Sequence, residues 1–156
     1  MSFQFTIIVP VYNEEDNLER VEKELLHYTT IASVSTKVLF VNDGSKDKSL
    51  ELIETICKRN HAFEFISFES NRGLSAAIKA GFDYTTTELV GYIDSDLQTA
   101  PEDFNLLLQH INDYDLVTGV RANRKDSFVK NLYSFDCYVI FLYCQLILHY
   151  LQNSFL

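Results

Sequence analysis

The sequence is short of positive charge, and this deficit limits the kinds of partner that the protein can have. Thirteen Lys and Arg residues stand against 22 Asp and Glu residues, so the formal net charge is -9. Such an acidic chain is poorly suited to a nucleic acid as its main partner, because phosphate backbones attract clusters of basic residues. A local anion site remains compatible with this charge, since a short basic segment can dominate its own surroundings.

Cysteine and histidine are also scarce. The three cysteines, Cys57, Cys137 and Cys144, show no C-x-x-C spacing, and the four histidines are scattered. This usage excludes a disulfide framework, favours a reducing compartment and offers no zinc-ligand pattern. No G-x-G-x-x-G follows the first apolar run, which argues against a dinucleotide-dependent dehydrogenase. The opening MSFQFTIIVPVY lacks the basic start and long apolar core of a secretory signal, so we expect none.

What the sequence does contain is a regular alternation of apolar runs with helical patterns. Strands are predicted over 5–12, 37–43, 63–69, 88–94 and 115–120, and helices over 14–28, 45–60, 73–84 and 101–113. Strands separated by helices of this length predict βαβ units and a parallel sheet. The predicted fold class is therefore α/β, with a Rossmann-like, open, mostly parallel sheet and helices on both faces.

Polar side chains follow three of the predicted strands. PVYNEE (10–15) ends the first strand, NDGS (42–45) the second and DSDLQ (94–98) the fourth. Ligands of open parallel sheets bind at the carboxyl ends of the strands. Each segment alone has a plain structural explanation, because Asn13 can begin a helix and Gly44 can form an ordinary turn. Together, the three segments predict a pocket for a nucleotide.

The residue types indicate how such a pocket would hold its ligand. Tyr12 could stack on a flat ring, and Asn13, Glu14 or Asp43 could form hydrogen bonds with one. Arg72 stands just before a predicted helix, and a helix start favours anions. A tight turn explains the rest of this segment equally well, but it does not explain Arg72.

Asp94 and Asp96 are the candidate metal ligands. They lie on opposite faces if the strand continues, and on one side if the chain turns. Two carboxylates so close together need a positive group between them, and a hard divalent cation takes oxygen ligands. Gln98 would add a neutral oxygen, and substrate phosphates would supply further ligands. The alternative is a pair of solvated turn residues, since D-x-D often arises by chance.

Basic residues are concentrated just before an uncharged tail. Arg121, Arg124, Lys125 and Lys130 precede residues 137–156, which contain no Asp, Glu, Lys or Arg. A bilayer takes about 20 apolar residues to cross, so the tail is a marginal span. It is predicted either as a buried last element or as a membrane-associated segment, with membrane contact slightly favoured by the basic cluster. Homo-oligomerisation through an exposed tail is a further open alternative.

Five motifs together resemble family 2 glycosyltransferases with the GT-A fold, over about residues 5 to 127: VPVYNEEDNL, VNDGSKDKS, NRGLSAAIKAGF, YIDSDLQTAPED and TGVRANRKDS. The likeness is greatest to the branch that loads a sugar onto a polyprenyl phosphate, including the dolichol-phosphate mannosyltransferase and bactoprenol glucosyltransferase types. The resemblance implies an inverting transfer from a UDP- or GDP-linked sugar to a polyprenyl phosphate or another glycan acceptor. It also implies a location at the cytoplasmic face of a membrane.

The resemblance assigns roles to the matching positions. It places the nucleoside on Pro10, Tyr12, Glu14 and Asp43, Mg²⁺ or Mn²⁺ on Asp94, Asp96 and Gln98, and the acceptor phosphate or the diphosphate on Arg121 and Arg124. No carboxylate base pattern follows residue 103, which favours a phosphate acceptor, because a phosphate is already an anion near neutral pH.

The C-terminal part departs from the family's usual continuation. We therefore expect a nucleotide-sugar-binding domain over 1–127 and an apolar segment over 128–156, in a C-terminally shortened chain. Two alternatives stay open. One is a non-catalytic remnant that binds nucleotide sugar, and the other is a haloacid-dehalogenase-type phosphohydrolase. The phosphohydrolase motif usually lies on the first strand and has Thr or Val at the position that Gln98 occupies here.

Overall fold

The computed structural model describes residues 3–119, and every structural statement below concerns those residues. Strands and helices alternate along them. The strands are β1 (Phe5–Val11), β2 (Thr36–Asn42), β3 (Phe63–Ser67) and β4 (Leu89–Tyr92). The helices are α1 (Leu18–Ile31), α2 (Ser49–Arg59), α3 (Leu74–Tyr84) and α4 (Asp103–Leu108). None of these helices is both long enough and apolar enough to cross a bilayer. The predicted tail and its basic cluster lie outside the described residues.

The strands form one all-parallel sheet in the order β3-β2-β1-β4, which confirms the predicted fold class. The chain moves outward from β1 through β2 to β3 and then crosses back to add β4 on the other side of β1. The strand order therefore reverses beside β1, where the loops leaving the carboxyl ends of neighbouring strands diverge. Such a divergence opens a crevice above the centre of the sheet.

Helices cover both faces of the sheet, as the sequence predicts. On one face, Val9 of β1 belongs to a buried cluster that includes Ile53 of α2. On the other face, Ile8 packs in a second cluster with Ala77 of α3. Gly81 lets α3 approach β1 closely, because a Cβ at this position would lie 2.7 Å from Cγ2 of Ile8. Burial of a side chain such as Ile8 stabilises the fold by about 1.5–3 kcal/mol.

Four predicted elements need correction. The helix predicted over 101–113 is helical only over Asp103–Leu108. Helix α1 begins at Leu18 instead of residue 14, and α2 begins at Ser49 instead of residue 45, because the loops before these helices bond to each other. The strand predicted over 115–120 is wrong for its described part, since residues 115–119 form no strand. Leu116 is 45% exposed there, and no described strand pairs with the segment. An unpaired strand would leave its backbone groups without partners.

Candidate functional site

A cleft of about 340 Å³ lies at the carboxyl ends of β1, β2 and β4. The order of the strands reverses at this point, so the position is the one expected for a ligand site in an open parallel sheet. All three polar segments predicted from the sequence contribute to its lining, together with the start of α3. The site residues predicted from the sequence that line it are Pro10, Tyr12, Glu14, Asp43, Asp94 and Asp96.

Pro10 separates the two strands at the floor of the cleft. The last ladder bond between β1 and β4 runs from the amide of Ile93 to the carbonyl of Ile8, at 3.0 Å. In a parallel ladder, the next bond would run from the amide of residue 10 to the carbonyl of Ile93, but proline has no amide hydrogen. The pairing therefore ends here, and the chain after β4 turns away from the sheet.

Asp94 and Asp96 both line the cleft because the chain turns directly after β4. The amide of Leu97 donates to the carbonyl of Asp94 at 3.1 Å, which closes a tight turn, and Leu97 has a positive φ of 46°. Ser95, between the two aspartates, is 7% exposed, whereas both aspartates are exposed. Of the two arrangements considered for the sequence, the structure has the one in which both carboxylates lie on one side.

Gln98 orients Asp96. Its side-chain amide nitrogen donates to Oδ2 of Asp96 at 2.7 Å, and its backbone amide donates to Oδ1 at 3.2 Å. Gln98 does not line the cleft. The contacts therefore make it a support for a candidate ligand, and its own role as a metal ligand stays a prediction.

The loops after β1 and β2 are joined by hydrogen bonds in a regular pattern. Side chains at every second position of SKDKS accept from three successive backbone amides: Ser45 Oγ from Asn13 at 3.0 Å, Ser49 Oγ from Glu14 at 2.9 Å and Asp47 Oδ2 from Glu15 at 3.1 Å. These bonds leave the three amides satisfied without a helical partner.

The bonding between the two loops is reciprocal. Oδ1 of Asn13 accepts from the amide of Lys46, and Oε2 of Glu15 accepts from the amide of Lys48, both at 2.8 Å. We call the five hydrogen bonds between residues 13–15 and 45–49 the interlock. It fixes the loop that carries Tyr12 and Glu14 to a loop more than 30 residues further along the chain.

Asp47 is one of two carboxylates in the interlock, the other being that of Glu15. Burial alone would raise the pKa of its carboxyl, but hydrogen bonds from Ser49 and from the backbone amide of Glu15 outweigh burial and bring the pKa below its ordinary value. A carboxylate that accepts several hydrogen bonds is stabilised in its charged form. Asp47 is therefore ionised at neutral pH and acts as an acceptor only.

Asp43 fixes the third loop at the cleft. It is 3% exposed, and its Oδ1 and Oδ2 accept from the backbone amides of Arg72 at 2.7 Å and Gly73 at 2.9 Å. These amides stand at the start of α3, where an anion is favoured, and the Asp43 carboxylate takes that place. The guanidinium of Arg72 lies over the ring of Phe68, 4.9 Å from its centroid, and does not line the cleft.

Gly44 allows the β2 loop to lie directly on the backbone of residues 70–71. Its φ is 65°, and an added Cβ would lie 2.4 Å from the carbonyl carbon of Ser70. Glycine meets both demands, since it has no Cβ and adopts positive φ at no steric cost. The turn predicted for NDGS is therefore also a packing contact that brings Asp43 to the start of α3.

The cleft is acidic. Among residues 3–119, its lining contains four carboxylates, those of Glu14, Asp43, Asp94 and Asp96, and neither Lys nor Arg. The hydroxyl of Tyr92 has a raised pKa, firstly because of burial and secondly because of the Asp94 carboxylate. An anionic ligand would be repelled from these surroundings unless a cation accompanied it.

The oxygen donors fit a divalent cation that shares its ligands with a substrate. Within residues 3–119, no three His, Cys, Asp or Glu side chains form a complete ligand set. Asp94 and Asp96 supply two carboxylates on one side of the cleft. Mg²⁺ is usually held by one or two carboxylates, with substrate phosphates and water completing its coordination. The donors therefore fit Mg²⁺ or Mn²⁺ bound together with a diphosphate.

Helix α1 anchors both the D-x-D turn and the helix that follows it. Nη2 of Arg20 lies 3.4 Å from the carbonyl of Leu97, to which it donates. In α4, Oδ1 of Asn105 accepts from the hydroxyl of Tyr28 at 3.3 Å and from the amide of Ser33 at 3.0 Å. These bonds connect the turn and α4 to helix α1, whose inner face includes the buried side chains of Val21 and Leu25.

Sequence reasoning found the lining of the cleft better than its supports. It assigned Asn13 to the nucleotide, whereas the structure places this residue in the interlock. It does not single out Ser45, Asp47 and Ser49, whose side chains hold the loop after β1. The S-x-D-x-S alternation after Gly44 is the sequence signal for these contacts, but the same segment also predicts a helix start. Arg121 and Arg124 lie outside the described residues, and their roles stay predictions.

Comparison with known proteins points to one family. A family model described as Glycosyl transferase family 2 matches residues 6–150. An uncharacterised glycosyltransferase of Synechocystis sp. is 36% identical over 126 residues, which are 80% of this chain and 40% of that protein. The undecaprenyl-phosphate 4-deoxy-4-formamido-L-arabinose transferase of Pseudomonas paraeruginosa is 38% identical over 128 residues, which are 78% of this chain and 37% of that protein. The chain thus spans about two fifths of the length of these relatives.

Solved structures share the fold. The mannosyltransferase of Pyrobaculum calidifontis, in complex with GDP-Man and Mn²⁺, has a TM-score of 0.59 at 20% identity, over 70% of this chain and 32% of that one. The glucosyl-3-phosphoglycerate synthase of Mycobacterium tuberculosis, in complex with Mn²⁺, UDP and glucosyl-3-phosphoglycerate, has a TM-score of 0.55 at 18% identity, over 70% of this chain and 40% of that one. At these identities the likeness establishes the fold alone.

Proposed function

Because the chain belongs to glycosyl transferase family 2, we propose that its cleft binds a nucleoside-diphosphate sugar for inverting transfer to a polyprenyl phosphate. The donor is UDP- or GDP-linked, and the lipid acceptor implies work at the cytoplasmic face of a membrane. The name of the Pseudomonas relative, an undecaprenyl-phosphate transferase, supports this class of acceptor. We assign the nucleotide-sugar half to residues 1–127 and membrane contact to the apolar segment over 128–156.

One observation carries the proposal: the acidic cleft has two chemically different sides. On one side, Tyr12, which is 41% exposed, offers a ring for stacking, and Glu14 and Asp43 offer acceptors for nucleoside donors. On the other side lie Asp94 and Asp96, which suit a cation. A nucleoside diphosphate needs these two kinds of surface in adjacent places.

The residues of the chain act by binding and orientation. Asp94 and Asp96 would hold Mg²⁺ or Mn²⁺, with Gln98 as a further candidate ligand, and the bound ion would offset the negative charge that develops on the departing diphosphate. The nucleoside side of the cleft fixes the direction of the diphosphate and leaves the opposite face of the sugar open to the acceptor.

The bond changes explain the inversion. An oxygen of the acceptor phosphate forms a new bond to the anomeric carbon while the bond from that carbon to the diphosphate oxygen breaks, and the leaving group carries away the electron pair. Because attack and departure occur on opposite faces, the configuration inverts. A phosphate acceptor is already an anion near neutral pH and needs no general base, whereas a hydroxyl acceptor would need a positioned carboxylate.

Calorimetric titration of UDP and of GDP, with and without Mn²⁺, tests the proposal. We expect binding of one nucleotide that strengthens with Mn²⁺, and loss of this metal dependence in an Asp94→Ala, Asp96→Ala double variant. The chain offers a matched control in Asp113→Ala, Asp115→Ala. Asp113 and Asp115 have the same spacing as Asp94 and Asp96, so the control variant removes the same charge. Both residues are exposed and lie outside the cleft.

The controls decide between outcomes. Equal loss of binding in both double variants would point to a general charge effect and contradict the assigned metal site. Absence of UDP and GDP binding in a folded wild-type sample would contradict the proposed function. A binding-only function is a second candidate, because the described lining of the cleft consists of side chains suited to binding a nucleotide and a cation. Metal-dependent binding without transfer of radiolabelled sugar to polyprenyl phosphate would favour it.

A further inference from the structure

We propose that Ser45, Asp47 and Ser49 are positioning residues for the nucleotide, although none of them lines the cleft. Through the interlock they hold the loop that carries Tyr12 and Glu14 in the place where a nucleoside would bind. The inference rests on the proposed function, because it concerns the nucleoside side of the same cleft.

The geometry of the interlock is suited to holding the loop that carries Tyr12 and Glu14. Three side chains accept from the backbone amides of Asn13, Glu14 and Glu15, so the path of the loop is fixed residue by residue. Tyr12 immediately precedes these three residues, and Glu14 is the second of them. Both Tyr12 and Glu14 line the cleft. Ser49 is fully buried, and Asn13 has a positive φ of 54°. The loop thus has a conformation that is uncommon for a non-glycine residue, and the bonds from the second loop stabilise it.

Asx and hydroxyl side chains usually cap their own turn or helix, and one contact here does follow that pattern. Oδ1 of Asp47 accepts from the amide of Ser49, within its own loop. The five bonds of the interlock, in contrast, all cross to the loop after β1. Residues 45–49 do not line the cleft, so their effect on a ligand would pass through Tyr12 and Glu14.

The interlock predicts an effect opposite to that of simple electrostatics. Asp47→Asn removes one negative charge from an acidic protein, and charge alone would then favour an anionic nucleotide. Loss of acceptor capacity at Asp47 releases the amide of Glu15 or Ser49 and loosens the loop. We expect affinity for the nucleoside diphosphate with Mn²⁺ to fall about three- to tenfold, the range for one or two lost hydrogen bonds.

Two matched comparisons separate positioning from charge and from general damage. Asp83→Asn removes the same charge from an exposed site on α3, where Asp83 pairs with Lys79 at 2.6 Å, and it should leave affinity unchanged or slightly higher. Ser45→Ala should weaken binding about three- to tenfold because it removes the acceptor for Asn13. Ser45→Thr keeps the hydroxyl and should restore binding.

Amide hydrogen exchange at residues 13–15 provides a readout that does not depend on a ligand. We expect faster exchange at these amides in Asp47→Asn and Ser45→Ala, and wild-type exchange in Ser45→Thr. Unchanged exchange, or faster exchange with unchanged nucleotide affinity, would overturn the inference. Failure of the wild-type protein to bind any nucleotide would overturn the proposed function and, with it, the claim that the interlock controls affinity.

Discussion

The two sides of the cleft are held in different ways. On the β1–β2 side, the interlock joins residues 13–15 to residues 45–49, and Asp43 joins the same region to the amides before α3. On the β4 side, the Asp96 carboxylate accepts two hydrogen bonds from Gln98, which lies two residues further along in the same turn. Bonds between distant segments restrict where a loop lies, whereas bonds within one turn mainly restrict its shape.

This difference matches the two parts of the proposed ligand. A nucleoside ring binds best to a surface that is already in place, because ordering a loop on binding reduces affinity. A metal ion needs carboxylates that can adjust to its coordination distance, and Asp94 and Asp96 are exposed on their turn. The nucleoside side is thus preorganised by several long-range bonds, and the metal side mainly by a local turn, to which Arg20 adds one distant bond.

Gly44→Ala would break the β1–β2 side at its tightest contact and should have the largest effect. The new Cβ would lie 2.4 Å from the Ser70 carbonyl carbon, at a φ of 65°. Backbone strain and displacement of a loop together should lower the free energy of unfolding by about 3 kcal/mol or more. Urea denaturation followed by circular dichroism measures this loss.

Gly73→Ala is the control for strain alone. Gly73 also has a positive φ, 91°, but nothing lies within 4 Å of its added Cβ. Backbone strain without a steric clash should lower the free energy of unfolding by about 1–3 kcal/mol. Equal losses at Gly44 and Gly73 would contradict the idea that the contact with Ser70 holds this side rigidly.

Tyr28→Phe tests the anchor of the β4 side. Burial, and secondly the charge of Glu102, raise the pKa of Tyr28 to about 12. At neutral pH the variant should lose about 1 kcal/mol of unfolding free energy, because the hydrogen bond to Asn105 is lost.

The same substitution has a pH signature with a definite sign. The folded-state pKa of Tyr28 lies above its value in the unfolded chain, so the unfolded chain releases the proton first as pH rises. The stability that neutral Tyr28 contributes is present below pH 10 and is lost progressively between about pH 10 and 12. Denaturation at several pH values should therefore show wild type losing its advantage over Tyr28→Phe in this window. A constant difference across it would contradict the assigned burial of the hydroxyl.

Arg20→Met should have the smallest effect. The substitution keeps most of the aliphatic stem and removes one long hydrogen bond, 3.4 Å from Nη2 to the Leu97 carbonyl. We expect a change in unfolding free energy of about 0.5 kcal/mol or less. A loss as large as that of Gly44→Ala would mean that the β4 side depends on distant anchors as much as the β1–β2 side does.

The sheet and the lining of the cleft could be predicted because they follow local rules. Apolar runs such as 5–12 identify buried strands, and the carboxyl ends of parallel strands meet at one edge. Asp94 and Asp96 could be predicted to lie at the cleft because they follow such a run. Their common orientation could not be deduced, since it depends on a turn in which Leu97 adopts a positive φ.

The supports of the site could not be predicted for a different reason. The bonds of Ser45, Asp47 and Ser49 reach residues more than 30 positions away, and no local pattern records such a distance. The same residues also favour a helix start, and that local preference explains the early start predicted for α2. Asn13 and the acidic residues after it explain the early start predicted for α1 in the same way. The prediction of a strand over 115–120 is wrong for a similar reason. A run of residues with high β-propensity does not determine whether a neighbouring strand is present to pair with it.

The central position of β1 has a consequence for how the chain is made. Its neighbours are β2, at Thr36–Asn42, and β4, at Leu89–Tyr92, so the second edge of β1 is completed only about 80 residues after the strand itself is synthesised. During translation, the edge of β1 that pairs with β4 therefore stays unpaired until β4 has been synthesised. Of the cleft's four carboxylates, Glu14 and Asp43 emerge in that interval, whereas Asp94 and Asp96 follow β4, so the cleft is completed only together with the second edge of β1.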